Sequence, residues 1–235
     1  MVDMRQHFSV PMLLRFVAPS VAMMVFTSIY SVIDGLFVTN FVGKTAFAAV
    51  NLIMPFIMIL GTLGFMMGAG GSALVAKTRG EGDDARANAY FSMIVYVTLG
   101  AGALLALVGF AFMEDVARLL GANGDMLPVC VLYGRISMLS LPLFMLQYTF
   151  QVLASTAGKP KVGLYTTLAS GISNMVLDFV FIAVLGWGVA GAAAATVIAE
   201  YVGGLSPLVY FARRNASCLK LGRPALDLRA LGKTC

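Results

Sequence analysis

The chain has 235 residues, of which 60% are hydrophobic and 11% charged, with a formal net charge of +5. A soluble domain could not carry that much apolar surface, so this is an integral membrane protein. Apolar runs of roughly 20 residues, the length a helix needs to cross a hydrocarbon core of about 30 Å, exclude a barrel of short alternating strands. The expected fold class is an all-α membrane protein, a bundle of six transmembrane helices.

The opening "MVDMRQHFSVPMLLRF" carries charges and no small-residue cleavage site, which predicts a retained terminus rather than a secretory signal. Spans are expected at about 16–38, 50–75, 89–112, 127–153, 162–185 and 189–211, forming one transmembrane domain over residues 1–211 that is followed by a cytoplasmic linker over 212–235. Span one carries a polar stripe, Ser20, Thr27, Ser31 and Asp34, at helical spacing. Span two contains "GTLGFMMGAGGSA", in which Gly64 and Gly68 form a small-xxx-small pair suited to close backbone approach. The connections "RGEGDDAR", "STAGKPK" and "GWG" are short, so adjacent helices run antiparallel. Between spans three and four, "MEDVARLLGAN" has Val116, Leu119 and Leu120 at helical spacing and is expected to lie on the membrane surface.

Span four contributes Tyr133, Gln147 and Gln151, and span five a second polar stripe of Thr167, Ser170, Asn174 and Asp178. Span six, "GVAGAAAATVIAEYVGG", is small along its length and belongs inside the bundle, with Thr196 and Glu200 one turn apart. Pro19, Pro55, Pro142 and Pro207 each interrupt a span and free a carbonyl one turn earlier. At the last three an architectural kink is the preferred reading.

Basic residues set the orientation. Arg5, Arg15, Lys77, Arg79, Arg86, Lys159, Lys161 and the tail from Arg213 fall on one side of six spans, and Lys44, Arg118 and Arg135 on or near the other, which makes both termini cytoplasmic. This topology accounts for the net charge and argues against nucleic-acid binding. Cys130, Cys218, Cys235 and the single His7 offer neither a disulfide framework nor a zinc site. Both "GKT" triplets lack the upstream glycine of a phosphate loop. Asn215 heads a glycosylation tripeptide, but on the cytoplasmic side. No nucleophile and base pair can be read from the spans, so an enzyme is not expected.

Only Asp34, Asp178 and Glu200 among the acids fall inside spans. An aspartate at mid-membrane costs roughly 2.5 to 3.5 kcal/mol on insertion scales, whereas an interhelical hydrogen bond returns on the order of 0.6 kcal/mol. Such a residue therefore needs a partner, a cavity or a proton. Asp178 and Thr196 each lie about 10 Å, and Asp34 about 12 Å, from the outer ends of their helices, so all three share a depth. Two carboxyls, an amide and a hydroxyl at one level offer oxygen ligands to sodium or a low-dielectric pocket for a proton. No cofactor, and no metal beyond that sodium ion, is expected.

The stretches "YSVIDGLFVTNFVGKTAFAAVNLIMPF", "GAGGSALVAKTRGEGD" and "NMVLDFVFIAVLGWGVAGAAAATVIAEY" resemble the first, second and fifth-to-sixth helices of the multidrug and toxic compound extrusion family. The resemblance implies the amino-terminal six-helix lobe of a twelve-helix antiporter of the inner membrane, which exchanges small organic, often cationic, substrates for protons or sodium. It implies that Asp34, Asn174, Asp178 and Thr196 bind the coupling cation, that helix one bends at Pro19, and that Tyr133 stands near the site. It assigns Glu200 no role; Tyr133, Gln147 and Glu200 are candidate lining residues. The expected partners are membrane lipid and a second six-helix lobe or another subunit. A flippase for lipid-linked saccharides and a subunit incapable of transport are the competing readings; the former would need cationic groups for a diphosphate, and only Arg135 lies within a span.

Overall fold

The computed structural model describes residues 10–213 and 217–222, and within its first helix the side chains of residues 10–17, Pro19, Ser20 and Met23 are not among those described. His7, Asn215, Cys235 and the bend expected at Pro19 thus lie outside the described features. Every described element is helical: α1 (Val10–Phe37), α2 (Lys44–Gly80), α3 (Asp84–Ala111), α4 (Met113–Leu119), α5 (Met126–Met138), α6 (Leu141–Thr156), α7 (Pro160–Asp178) and α8 (Gly188–Ala212). Two of them widen into π turns at their ends, α1 over Val38–Val42 and α7 over Phe179–Val184. Gly43, at a φ of 112° that disfavours any side chain, then turns the chain into α2. Among the described residues five helices are long and apolar enough to cross a membrane, and α5 and α6, bent by 57° at their junction, are so when taken together.

That bend departs from the single continuous span expected over 127–153. Pro142 stands in the first turn of α6, where a missing N–H costs no helical bond. Just before it, Leu139 and Ser140 donate to the carbonyls of Ile136 and Ser137 in tight closing turns, and the Ser140 carbonyl starts the next helix by accepting from Leu143 and Phe144. By contrast Pro55 and Pro207 sit inside unbroken helices.

Close packing follows the small residues. A Cβ at Gly64 would come within 2.6 Å of the Met145 Cα, and one at Gly68 within 2.9 Å of the Thr149 Cα, so α2 and α6 touch backbone to backbone. Thr149 Oγ1 donates across this contact to the Gly64 carbonyl at 2.7 Å. The small-residue helix α8 packs on α5, α6 and α7. Apolar rings fill the space near its end, where Phe150 and Phe211 stack at 5.5 Å.

The short α4 shows the expected helical period with a different phase. Its buried residues are Met113 and Ala117, while Leu119 is 86% exposed. Gly134 of α5 makes room for the Met113 side chain, and this contact sets which face turns inward.

α1 lies at the edge of the bundle. It packs along α7, where Gly171 leaves space for the rings of Phe26 and Tyr30, and stands away from α2. A cleft of about 520 Å³ separates α1 from α2, with Ser31, Asp34, Phe47 and Met58 on its walls. After α8 the chain folds back on the bundle: Lys220 N–H donates to Asn88 Oδ1 at 2.7 Å and Gly222 N–H to Ser92 Oγ at 2.8 Å. This fastens part of the expected linker to α3.

Candidate cation site

α7 and α8 supply the site in register. On α7, Asn174 and Asp178 are one turn apart on the face that also carries Ser170, and on α8, Thr196 and Glu200 are likewise one turn apart. Ser170 Oγ donates to the Ala199 carbonyl at 2.7 Å, which locks the two faces together. From α1, the ring of Tyr30 rests against Gly171, and one turn further on comes Asp34. The glycine on α7 thus determines how closely the α1 carboxyl approaches.

The carboxyl groups of Asp34 and Asp178 face each other within hydrogen-bonding reach. Asp178 is fully buried and Asn174 is 4% exposed. Among the described residues no N–H or O–H reaches Asp178 Oδ1, Asp178 Oδ2 or Asp34 Oδ1. Two carboxylates have only acceptors to offer one another, so they can bond only through a shared proton or a bridging cation. An orphaned acid buried without either is a large cost.

Beside the pair, the Tyr133 hydroxyl is set against that of Thr196, and Thr196 Oγ1 donates to the Ala192 carbonyl at 3.1 Å. Both π turns begin directly beyond the site, since Phe179 follows Asp178 and Phe37 lies three residues after Asp34. The two phenyl rings meet edge to face with centroids 6.4 Å apart. Phe179 is nevertheless 53% exposed, so the rings meet at the edge of the bundle, and π turns of this kind concentrate at functional positions.

On the other side Asp34, Asn174 and Thr196 reach a cavity of about 160 Å³ whose walls include Tyr30, Tyr148, Gln147, Gln151 and Glu200. Asp178 and Tyr133 stand behind this wall, in the core. The structure thus brings Asp34, Asn174, Asp178, Thr196 and Tyr133 together and places Gln147 and Glu200 on the same cavity. Pro19 belongs to α1, about 22 Å of helix rise before Asp34, and is not part of the cluster.

Sequence reasoning missed Ser140, Tyr30 and Tyr148. Glu200 accepts a short hydrogen bond from Ser140 Oγ, in the break between α5 and α6, and that hydroxyl also lies 2.9 Å from the Ser137 carbonyl. Glu200 is in this way tied to the bend. The available signals were the position of Ser140 two residues before Pro142 and that of Tyr30 one turn before Asp34. Ser140→Ala is expected to lower the unfolding free energy by about 1–3 kcal/mol, the cost of stranding a buried acceptor. Pairing it with Glu200→Gln should recover part of that loss in a thermal melt, and no recovery would show that the two side chains act separately.

Comparison with known proteins bears on the family of the chain. The multidrug export protein MepA of Staphylococcus haemolyticus is 29% identical over 213 residues, covering 89% of this chain and 44% of that protein. MepA of Staphylococcus saprophyticus is 30% identical over 213 residues, covering 89% and 45%. The chain thus spans about half the length of the curated relatives it matches. A solved MOP superfamily transporter from Pyrococcus furiosus superposes with a TM-score of 0.87 at 22% identity, over 94% of this chain and 49% of the other, which shows a shared fold. Residues 19–180 match the MatE family, and the chain belongs to it.

Proposed function

We propose that the chain is the amino-terminal half of a cation-coupled multidrug efflux antiporter, resident in the plasma membrane (the inner membrane where there are two) with both of its termini cytoplasmic. The observation that carries this reading is the pair of facing carboxyls, Asp34 and Asp178, which no described protein donor satisfies. The relatives' names, multidrug export proteins, supply the substrate class, and their double length supplies the case for a second six-helix lobe.

Loading the pair with a proton or a sodium ion removes one of its two negative charges, relieves the repulsion between the carboxyls and draws α1 toward α7. Asn174, Thr196 and Tyr133 add an amide and two hydroxyls around the ion. Asp34 stands on both the inner cavity and the α1–α2 cleft, so a cation can reach it from a different side than the substrate. Export follows because the loaded and empty states differ in their affinity for drug, and only such a difference can shift the equilibrium between them. The coupling is reciprocal: the drug lowers cation affinity by the same factor as the cation lowers drug affinity. The cavity wall carries no lysine or arginine among the described residues, which favours a cationic substrate over a saccharide diphosphate.

Proteoliposomes holding the chain with a complementary six-helix lobe should accumulate ethidium when a proton or a sodium gradient is imposed, and those holding the chain alone should not. Failure to accumulate it with either ion would overturn the coupling. Accumulation by the chain alone would replace the two-lobe reading with a homo-oligomeric one.

A further inference from the structure

Arg135 stands apart from the cavity just described, on the outer surface of the bundle where α3, α4 and α5 meet. It lines a groove of about 580 Å³ together with Phe110, Val131, Leu132, Leu139 and Glu114. Phe110, Leu132 and Leu139 are exposed, so in a bilayer acyl chains cover this groove. An arginine in such a wall is tolerated only if it reaches the headgroup level or finds an anion.

The geometry favours both. Arg135 lies about 13 Å along α5 from Met126, and helical side chains lean toward the helix start, here the end of the bundle that holds α4. Its guanidinium carbon lies 5.6 Å from the centroid of the Phe110 ring, a cation–π contact that holds the group on this wall. Its Nε is buried without an acceptor, and no ion pair to Arg135 occurs among the described residues. Glu114, the one acid on the groove, is held by Arg118 at 2.8 Å, so its charge is already offset.

We infer that this groove binds one glycerophospholipid, its phosphodiester on the Arg135 guanidinium and an acyl chain along Val131, Leu132 and Leu139. A phosphate oxygen accepts from the terminal NH2 groups of the guanidinium, for which no described residue supplies a carboxylate, and a guanidinium fork suits a phosphodiester better than a point charge does. The apolar walls take the chain, which a free phosphate could not use. The site is independent of cation coupling.

The test is native mass spectrometry of the detergent-purified chain titrated with phosphatidylglycerol, dioleoylglycerol or glycerol phosphate, together with cross-linking by phosphatidylglycerol carrying a diazirine on its acyl chain. The tightest phosphatidylglycerol should cross-link within residues 127–139, and Arg135→Gln should weaken it by about tenfold or more, as expected for losing a charge-assisted pair, with Arg135→Lys intermediate. Dioleoylglycerol should bind weakly and be indifferent to Arg135→Gln, and glycerol phosphate should not compete. Leu132→Trp, which fills the groove and keeps the arginine, should also displace the lipid and serves if Arg135→Gln does not fold. Unchanged binding in either variant, cross-links elsewhere, or dioleoylglycerol binding as tightly as phosphatidylglycerol would overturn the proposal. Competition by glycerol phosphate would make this a soluble-anion site and overturn it too.

Discussion

Asp178→Asn in the complete transporter is expected to abolish gradient-driven efflux of a fluorescent cation, and Asp34→Asn to do the same. The substitution is nearly isosteric and places a carboxamide where two oxygens have no described donor, so folding and membrane insertion should persist or improve. What disappears is the ability to bind and release a proton or to contribute charge to a sodium site. Because the two carboxyls act as one unit, the double variant should lose no more than either single one, a non-additivity characteristic of groups in direct contact. Drug binding itself should survive, while its dependence on the coupling cation, typically about 5- to 150-fold in such linked equilibria, should vanish. Measuring substrate affinity with and without the cation separates the two quantities. Wild-type efflux in both variants would remove the coupling role from this pair.

Gly64→Leu should prevent the protein from being recovered folded, through packing alone. Even the Cβ of alanine at this position would press on the Met145 backbone, which cannot rotate out of the way as a side-chain tip can. For Gly64→Ala a loss of about 1–3 kcal/mol is expected, the usual cost of overpacking, with a lower melting temperature in detergent. Gly100 offers the matching control, because a Cβ there meets nothing within 4 Å. Gly100→Ala should be neutral or stabilising by up to about 1 kcal/mol, from helix propensity. A Gly64→Ala protein that melts with Gly100→Ala would show that the α2–α6 contact can relax.

Much of this architecture was legible because lipid leaves few alternatives. Runs long enough to span must be helical, and a chain so sparing of charge marks its candidate site acids simply by where they fall. The shared depth of Asp34, Asp178 and Thr196 could be read from helix rise, since each lies a countable distance from a turn, and Asn174 follows one turn from Asp178 on the same face. Depth says nothing of azimuth, however, and it was Gly171, admitting Phe26 and Tyr30, that brought α1 round to α7. The break at Leu139 and Ser140 was hidden because hydropathy does not register hydrogen-bond direction, and a proline two residues later reads equally as a kink or as the start of a new helix. The Ser140–Glu200 contact joins residues sixty positions apart, which periodicity along one helix cannot detect. The phase of α4 was lost for a similar reason, since a seven-residue helix carries too few turns to say which side meets a neighbour.

The π turns beyond Asp34 and Asp178 give this end of the lobe slack. Each stores a surplus residue, and passing that surplus back along the helix by one position swings the side chain it crosses through about 100° while the hydrogen-bonded ladder re-forms behind it. A dislocation moving one turn along α1 would carry Asp34 away from Asp178 and toward the α1–α2 cleft without shifting the opposite end of the helix. Reorientation of the acid can thus be local, and a rigid lobe could still join and part its two carboxyls.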